Sequence, residues 1–370
     1  MKCNESIILI KIQTTSKTPH HHDAPNVKAF TSTLLKKSVF ILLLFGLTSF
    51  GQETFKIGFY NVENFFDAQD DPKTFDEEYT PKGRHRWKPQ HVAQKTQQLA
   101  TVIHALAERR TDGFPVLLGL AEIENFAILR QLVRHPLLRV AGYEIIHFDS
   151  PDRRGIDVAL LYQPAFFAPI KIKKVPLLLK NPKTQNRLYT RDMLLVTGML
   201  FDQEVTVSVN HWPSRRGGKS KSAPLRQKAA QQQLRLMDSL YRLDHNAKII
   251  VMGDFNDVPN DLSLKRLQQK DDFYTAFKPL YNPFLEKHKK GYGSLAYKDR
   301  WFLFDQILLS PAWTKEVKFL EYKAASIFHP KWLHPPAGRY KGYPFRTQKK
   351  GGFLTGYSDH FPVTITIRVK

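Results

Sequence analysis

The residues best suited to chemistry in this chain directly follow a short apolar run at Lys248–Met252. Two isoleucines and a valine in that run indicate a buried strand, and Gly253 ends it. Asp254 and Asn256 come next, so the strand delivers a carboxylate and a carboxamide to its carboxyl end, where α/β proteins place their sites. Such a pair can hold a metal-bound phosphate oxygen and orient an attacking water. The same cluster also fits an Asx-rich turn that caps the next helix.

A polar residue at the end of an apolar run recurs along the chain. Asn61 follows Phe55–Tyr60, Glu122 follows Pro115–Leu120, His211 follows Val205–Val209, Asp305 lies within Phe302–Leu309, and Ser358-Asp359-His360 precedes Phe361–Val363. In chain order the set reads N, E, NH, GDFN, D and SDH. From about Phe55 to Val369 this ordered set resembles the endonuclease/exonuclease/phosphatase superfamily. That superfamily includes pancreatic-type deoxyribonucleases, apurinic endonucleases, sphingomyelinases and inositol-polyphosphate phosphatases.

The resemblance implies a divalent metal site that is formed by the carboxylate and amide residues of this set. It makes Glu122 the main Mg²⁺ ligand, and Asn61 a residue that helps to hold the metal–phosphate assembly. Asp359 is expected on the metal side, because it points away from its neighbour His360 on an extended segment. Glu124 is an alternative ligand, although an acid there also suits the start of a helix. Mg²⁺ or Mn²⁺ is the expected ion, with Ca²⁺ as a further possibility.

Two histidines and their partners are expected to move protons. His360 has the ordinary pKa of a general base near neutral pH, and the resemblance assigns Asp305 to orient it. The resemblance also places His211 on the scissile phosphate or the leaving group. Asp254 and Asn256 are then expected to contact the phosphate and the nucleophilic water.

Three arginines are candidates for binding substrate phosphates. Arg215 and Arg216 directly follow the His211 motif, and Arg154 opens the strand that begins at Asp157. Arginine forms bidentate contacts with phosphate. All three also fit solvated surface positions.

Apolar runs of four to eight residues, separated by loops or helices, predict an α/β fold. We expect a four-layer sandwich in which two mostly antiparallel β-sheets pack face to face with helices outside, as the resemblance also implies. The predicted strands are Phe55–Tyr60, Pro115–Leu120, Tyr143–His147, Asp157–Tyr162, Leu194–Phe201, Val205–Asn210, Lys248–Met252, Phe302–Leu309 and Phe361–Val369. The predicted helices are Pro89–Arg110, Glu124–Arg134 and Ala223–Leu243.

The first 51 residues have the pattern of an export signal. Leu35-Lys36-Lys37-Ser38 leads into the apolar run Val39–Leu47 and then a small-residue exit near Gly51, as in a secretory signal peptide. The run is shorter than the roughly 20 residues of a membrane span, although an uncleaved anchor is the alternative. Residues 52–370 then form one predicted catalytic domain, which is exported to a periplasm or the exterior. The only cysteine is Cys3, so that domain has no disulfide.

The charge of the chain suggests an anionic partner. Residues 1–51 hold six basic and two acidic side chains, and the remainder keeps +18 of the formal +22. Long loops at Lys278–Arg300 and Phe328–Gly352 mix basic and aromatic residues, a composition that suits nucleic acid. A nuclease is therefore the leading prediction, with no stable membrane insertion and no obligate protein partner.

Two other functions stay open at this point. The first is a phosphodiesterase or phosphatase that acts on small-molecule or lipid phosphoesters, because fold resemblance does not choose a substrate. The second is a nucleic-acid-binding module without catalysis. The acidic stretch with Asp67, Asp70, Asp71 and Asp76 is interpreted as a solvated loop, with weak structural Ca²⁺ binding as an outside alternative.

Overall fold

The computed structural model describes residues 53–107, 113–181, 183–314, 319–349 and 352–370. The predicted export signal lies outside these residues. The helices are α1 Pro89–Ala105, α2 Phe126–Val133, α3 Pro136–Arg139, α4 Lys219–Leu243, α5 Leu262–Gln268 and α6 Leu285–Lys289. The strands are β1 Thr54–Phe65, β2 Leu117–Ile123, β3 Glu144–His147, β4 Asp157–Tyr162, β5 Phe167–Val175, β6 Leu179–Lys180, β7 Arg187–Leu188, β8 Met193–Leu200, β9 Gln203–His211, β10 Lys248–Asp254, β11 Leu295–Tyr297, β12 Arg300–Phe302, β13 Asp305–Leu309, β14 Leu320–Ile327, β15 Gln348–Lys349, β16 Gly352–Phe353 and β17 Val363–Val369.

Two large sheets form the centre of the fold. The first has six strands in the order β14-β17-β1-β2-β4-β3, and the second has five in the order β13-β10-β9-β8-β5. Each sheet contains one parallel pair, β1 with β2 and β9 with β10, and the other neighbours are antiparallel. The expected α/β sandwich of two mostly antiparallel sheets is confirmed.

Apolar side chains fill the space between the sheets and the space beneath the outer helices. Gly119 of β2 faces Met252 of β10 and Val209 of β9, so the sheets approach closely at the centre. The side chains of α1 join the same core as the first sheet. Ala229, Leu234 and Met237 of α4 pack with the outer face of the second sheet. The four layers are therefore helices, sheet, sheet and helices.

The parallel pairs decide where the polar residues gather. In each pair both strands run in the same direction, so their carboxyl ends lie at the same edge of the sheet. Asp254, at the end of β10, is in register with His211 at the end of β9 and with Asp305 at the start of β13. In the first sheet Asn61 is in register with Ala121, which directly precedes Glu122. Each sheet thus presents its polar residues at one edge.

Each predicted element is present in the structure, with differences at some ends and in two kinds of strand. The run Phe302–Leu309 is two strands, β12 and β13, because Leu303 and Phe304 form a break before Asp305. The sequence pattern also missed β5 and β14, which are edge strands with few buried residues. An edge strand faces solvent along much of its length, so it lacks the continuous apolar run that marks a buried strand. Some element ends also differ: the first helix ends at Ala105, short of the predicted Arg110, which lies outside the described residues, and β1 continues past the predicted Tyr60 to Phe65.

Among the described residues, none of the helices combines the length and the apolar character needed to span a bilayer.

The close approach at Gly119 predicts a large effect of a side chain there. A Cβ on Gly119 would lie 2.5 Å from Met252 Sδ and 3.2 Å from Val209 Cγ1. We expect Gly119→Val to lower the free energy of unfolding by about 1–3 kcal/mol, because it overpacks the interface between the sheets. Urea unfolding measures this. Gly352→Ala is the control, since its added Cβ meets no described atom within 4 Å and should change stability by less than about 0.5 kcal/mol. Equal stability of Gly119→Val and the control would contradict the packing.

Candidate active site

The Asn61 carboxamide joins the two sheets at the edge where their polar residues meet. Its Nδ2 donates to Asp254 Oδ2 at 3.1 Å and lies 3.4 Å from Glu122 Oε1. Its Oδ1 accepts from the backbone N–H of Glu63 at 3.0 Å, which fixes the amide orientation. Asn61 is fully buried and Asp254 is nearly so. One neutral group therefore holds two carboxylates close to each other in the interior.

Glu122 reaches this position through an irregular backbone. Its φ is +66°, in the left-handed region that non-glycine residues rarely adopt. The pairing of β2 with β4 shifts register between Ala121 and Ile123, so Glu122 sits in a β-bulge, a device that redirects a side chain. Its Oε2 accepts from the backbone N–H of Asn64 at 2.8 Å. Backbone strain of this kind concentrates at functional sites.

Asp254 and Asn256 form a tight turn rather than an extended pair. Asp254 Oδ1 accepts from the backbone N–H of Asn256 at 2.9 Å, and Asn256 has a φ of +50°. Asn256 Nδ2 donates to the Trp212 carbonyl at 3.1 Å, and Arg191 also donates to that carbonyl, at 2.8 Å. Residues two apart point to the same side only on an extended segment, and the φ of Asn256 breaks that geometry. Asn256 is held against the carbonyl that follows His211.

His211 faces both carboxylates. Its Nε2 lies 3.6 Å from Asp254 Oδ2 and 4.0 Å from Glu122 Oε1, and its side chain is almost fully buried. Burial lowers the pKa of His211 well below its ordinary value, and the charges of Arg191, Arg154 and His360 lower it further. The imidazole is therefore neutral near pH 7. A neutral imidazole can donate one hydrogen bond to a phosphate oxygen without adding a charge.

His360 and Asp305 form a hydrogen-bonded dyad. His360 Nδ1 lies 2.6 Å from Asp305 Oδ2, and Ser294 Oγ donates to the same oxygen at 2.5 Å. Burial opposes the charged form of His360, but the carboxylates of Asp305, Asp254 and Asp359 outweigh it and raise its pKa well above the ordinary value. Asp305 thus fixes the ring and leaves Nε2 directed toward Asp254 Oδ2, 4.0 Å away.

Asp359 lies at the site but is engaged by a cation of the protein. Its Oδ1 is 3.9 Å from His360 Nε2, and its Oδ2 accepts from Arg346 at 2.5 Å. Arg346 also lies 3.6 Å from Glu63 Oε1. Burial raises the pKa of Glu63 to about 8, a rise that Asp359 adds to and that Lys95 and Arg346 oppose. Asp359 belongs to a charged network beside the site.

The three predicted substrate arginines differ in their surroundings. The structure places Arg215 within a network of its own. It donates to the Asn256 carbonyl at 2.8 Å and to Asp261 Oδ2 at 2.6 Å, and it lies over the Phe304 ring. Arg216 is exposed. Arg154 is also exposed, yet it lies near enough to His211 to lower its pKa. Of the three, Arg154 is best placed to meet a phosphate at the site.

Glu124, the alternative metal ligand, points elsewhere. Its Oε2 accepts from the backbone N–H of Asp67 at 2.5 Å, and burial raises its pKa to about 8, with Asp67 and Asp76 adding to the rise. Glu122 rather than Glu124 therefore faces Asn61 and Asp254.

The acidic stretch with Asp67, Asp70, Asp71 and Asp76 is less solvated than expected. Asp70 and Asp71 are exposed, but Asp76 is buried and accepts from the Asp71 N–H at 3.1 Å, closing the loop on itself.

Several residues near the site carry no sequence signal. Lys95 of α1 is fully buried and donates to the Tyr357 carbonyl at 2.7 Å, which ties that helix to the segment before His360. Arg191 links the Trp212 carbonyl to Asp152 Oδ2, which lies 3.1 Å from Arg191 Nη1. A buried charge looks like a surface charge in a sequence, so neither contact could be found from residue type. Ser294, which supports Asp305, lies outside any motif.

The donor atoms at this edge fit a divalent metal ion. One ligand atom from each of Asp254, Asp305 and His360 lies within 4.8 Å of the others. Burial raises the pKa of Asp254 to about 7, and the nearby Asp305 and Glu122 charges contribute to the rise while His360 opposes it. A divalent ion beside this buried carboxylate would favour its charged form. Carboxylate and amide oxygens are the donors that Mg²⁺ and Mn²⁺ prefer.

Comparison with protein-family models decides the family. The model described as Endonuclease/Exonuclease/phosphatase family matches residues 56–369. The chain belongs to the endonuclease/exonuclease/phosphatase family. It therefore has the fold of a phosphoester hydrolase, in a family that depends on divalent metal ions. No curated protein matches the chain by sequence.

Solved structures share the fold of this family member at low sequence identity. The catalytic domain of human Nocturnin with bound sulfate has a TM-score of 0.51 and 14% identity, and the match covers 86% of this chain and 98% of that chain. TDP2 of D. rerio with a single-strand DNA product has a TM-score of 0.50 and 14% identity, covering 85% and 98%. An endonuclease/exonuclease/phosphatase family protein from Bacteroides thetaiotaomicron has a TM-score of 0.50 and 13% identity, covering 86% and 99%.

The dyad makes a direct prediction for the titration of His360 in the metal-free protein. Replacement of Asp305 by Asn removes the carboxylate that raises the pKa of His360 and leaves burial, which lowers it. We therefore expect Asp305→Asn to lower the pKa of His360, as measured by NMR titration of its imidazole in EDTA. Asp299→Asn, at an exposed carboxylate, is the control and should leave that pKa in place. An unchanged pKa in Asp305→Asn would contradict the dyad.

Proposed function

We propose that this protein is an exported, metal-dependent phosphoesterase, and that its substrate is nucleic acid. The observation that carries the proposal is the convergence of Asn61, Glu122, His211, Asp254 and the His360–Asp305 dyad at one edge of the sandwich. Phosphodiester hydrolysis needs a charge-neutralising ion, a base and donors for the phosphate oxygens. These residues include candidates to bind the ion, to act as the base and to donate to the phosphate oxygens.

The residues divide these tasks by their charge. Glu122 and Asp254, oriented by Asn61, would hold a divalent ion, which would neutralise the phosphate and lower the pKa of a bound water. His211, which is neutral, donates to a phosphate oxygen. The nearby carboxylates raise the pKa of His360, and a bound divalent ion would offset those charges and favour the neutral imidazole. In that neutral form His360 accepts a proton from the attacking water at Nε2, while Asp305 accepts a hydrogen bond from Nδ1–H and stabilises the imidazolium that forms. Arg154 lies at the solvent side and attracts the phosphate.

An exposed surface beside His360 supports a nucleic-acid substrate. Four exposed aromatic side chains, interleaved with exposed basic ones, form what we term the aromatic–basic surface: Tyr297, Trp301, Trp332 and Tyr340, with Lys298, Arg300, Arg339 and Lys341. The Trp301 ring stacks on Phe361 with centroids 6.0 Å apart and an interplanar angle of 21°. Phe361 directly follows the proposed base. Stacked aromatic rings and cations are the usual platform for single-stranded nucleic acid.

A small-molecule or lipid phosphoester is the alternative substrate within the same chemistry. The catalytic residues would act identically on it, because they contact only the phosphate. The aromatic–basic surface separates the two substrates, because a nucleic acid offers successive bases that can stack on its rings whereas a small phosphodiester does not.

Export is the remaining part of the proposal. It is supported by the basic segment, the short apolar run and the small-residue exit within residues 35–51 of the sequence.

The proposed chemistry predicts that His360→Ala and Glu122→Gln both abolish turnover. Loss of a general base costs about 100- to 10,000-fold in kcat, and loss of the main metal ligand should cost at least as much. Purified protein is incubated with supercoiled plasmid, RNA or a bis-aryl phosphodiester in Mg²⁺, Mn²⁺ or EDTA. His245→Ala, at an exposed histidine, is the matched control and should keep full activity. Cleavage that survives EDTA or either site variant would refute the proposal, and so would salt-dependent nucleic-acid binding with no product under any condition.

The aromatic–basic surface predicts a substrate-dependent effect of Trp301→Ala. Loss of one stacking ring should raise KM for single-stranded DNA about tenfold, whereas KM for the bis-aryl phosphodiester should stay the same. Phe273→Ala, at a ring that is 80% exposed, is the control. Equal effects of Trp301→Ala on both substrates would assign Trp301 a structural role and favour the small-phosphoester alternative.

A further inference from the structure

A second group of potential metal ligands lies at the base of the β3–β4 hairpin. His147 ends β3 and Asp157 begins β4, so the two side chains meet where the loop 148–156 leaves the sheet. One ligand atom from each of His147, Asp149 and Asp157 lies within 4.8 Å of the others. The side chains of His147 and Asp157 are 2% and 3% exposed. None of these residues takes part in the catalysis proposed above.

The relative placement of His147 and Asp157 fits two ligands of one ion. His147 Nε2 lies 3.3 Å from Asp157 Oδ2. The same nitrogen is buried and makes no hydrogen bond of acceptable geometry, so the two atoms do not point directly at each other. Metal ligands point at an ion between them. Two ligand atoms that each lie about 2.0–2.1 Å from a tetrahedral Zn²⁺ are about 3.3 Å apart.

The Asp157 carboxylate has one oxygen that is held by hydrogen bonds and one that is available to a cation. Its Oδ1 accepts from the backbone N–H of Ser150 at 2.8 Å and also from the Ser150 hydroxyl, while Oδ2 faces His147. A cavity of about 10 Å³ lies against Ser150, Asp157 and Asp192, which is roughly the room that one water needs.

Asp149 is positioned to complete the group from the solvent side. Its side chain is 88% exposed, and its Oδ1 lies 3.9 Å from His147 Nδ1, the ring nitrogen that does not face Asp157. One ligand atom of Asp149 lies within 4.8 Å of one from His147 and one from Asp157, so rotation of the Asp149 side chain brings it to an ion at Nε2. Lys174 Nζ donates to its backbone carbonyl at 3.1 Å, which holds the residue beside the hairpin. An exposed side chain on a fixed backbone can turn toward a bound ion at little cost.

We propose that His147, Asp157 and Asp149 bind a structural divalent ion of the Zn²⁺ type, with water as the fourth ligand. A set of one imidazole and two carboxylates suits Zn²⁺ or Mn²⁺ better than Mg²⁺ or Ca²⁺, which prefer oxygen ligands alone. The ion closes the base of the loop 148–156.

The loop connects this site with the catalytic edge. Asp152 in the loop lies 3.1 Å from Arg191 Nη1, and Arg191 donates to the Trp212 carbonyl that also accepts from Asn256. An ion at His147 therefore stabilises the loop that supports the His211 segment. Its role is to position, since it lies outside the group of residues that contact the phosphate.

The test measures Zn²⁺-dependent thermal stability in the full-length protein. The Glu122→Gln background weakens metal binding at the candidate active site, so that the new site dominates the response. In EDTA-treated protein we expect Zn²⁺ at about a hundredfold excess over its Kd to raise the unfolding midpoint by about 5 °C. Binding to the polar histidines near the amino terminus, at His20–His22, gives no such rise unless that segment is part of the folded structure.

Two variants assign the response to the site. His147→Gln should abolish the rise, and Asp149→Asn should shift it to Zn²⁺ concentrations at least about tenfold higher, the loss typical of a weakened metal site. Asp149 is so exposed that its variant will fold even if His147→Gln does not. Asp272→Asn, at another exposed aspartate, is the matched control and should respond like the background. The proposal is overturned if Zn²⁺ gives no rise, or if the rise is the same in Asp149→Asn and Asp272→Asn.

Discussion

The active-site edge depends on a single buried carboxamide between two carboxylates. Asn61 Nδ2 lies 3.1 Å from Asp254 in one sheet and 3.4 Å from Glu122 in the other. Asp254 is buried and Glu122 is partly buried, so their negative charges are only partly screened by water and repel each other. The amide reduces that repulsion but does not neutralise it, so the arrangement favours a cation. The same contact thus links the two sheets at this edge and organises the site.

The parallel pairs at the centre of each sheet make this contact possible. Because β1 and β2 run together, as do β9 and β10, four strand ends reach one edge. The remaining neighbours are antiparallel and bring in the start of β13 and the segment before β17 from the opposite direction. Asp305 and His360 enter on those two strands, and they meet across the sandwich as a dyad. The fold therefore supplies metal ligands from strand ends and the base from strand beginnings.

The sequence alone predicted the sheets and the group of residues at the edge, for a definite physical reason. The apolar run of a buried strand is interrupted where a polar side chain reaches the site, so Asn61, Glu122, His211 and Asp254 marked the candidate site, although β1 continues past Asn61 to Phe65 and β2 past Glu122 to Ile123. The order of these residues along the chain indicated the endonuclease/exonuclease/phosphatase family. Edge strands such as β5 were not predicted, because their exposure removes the apolar signal.

The contacts that charged side chains make could not be predicted from the sequence. The left-handed bulge at Glu122 depends on its neighbours in the sheet, and nothing in its residue type indicates it. Arg215 looked free to bind substrate, yet it is held by Asp261 and the Asn256 carbonyl. Asp76 looked solvated and is buried. The partners of Arg215 are distant from it in the chain, and only the folded structure brings them together.

The most direct test of the proposed site is a crystal structure grown with Mn²⁺, with anomalous scattering used to locate the ion. The arrangement of Asn61, Glu122 and Asp254 predicts an anomalous peak between the two carboxylates, within about 2.0–2.4 Å of an oxygen of each. A fully occupied Mn²⁺ elsewhere, with Glu122 and Asp254 still joined only through Asn61, would contradict the claim that this edge is a metal-dependent phosphoesterase site.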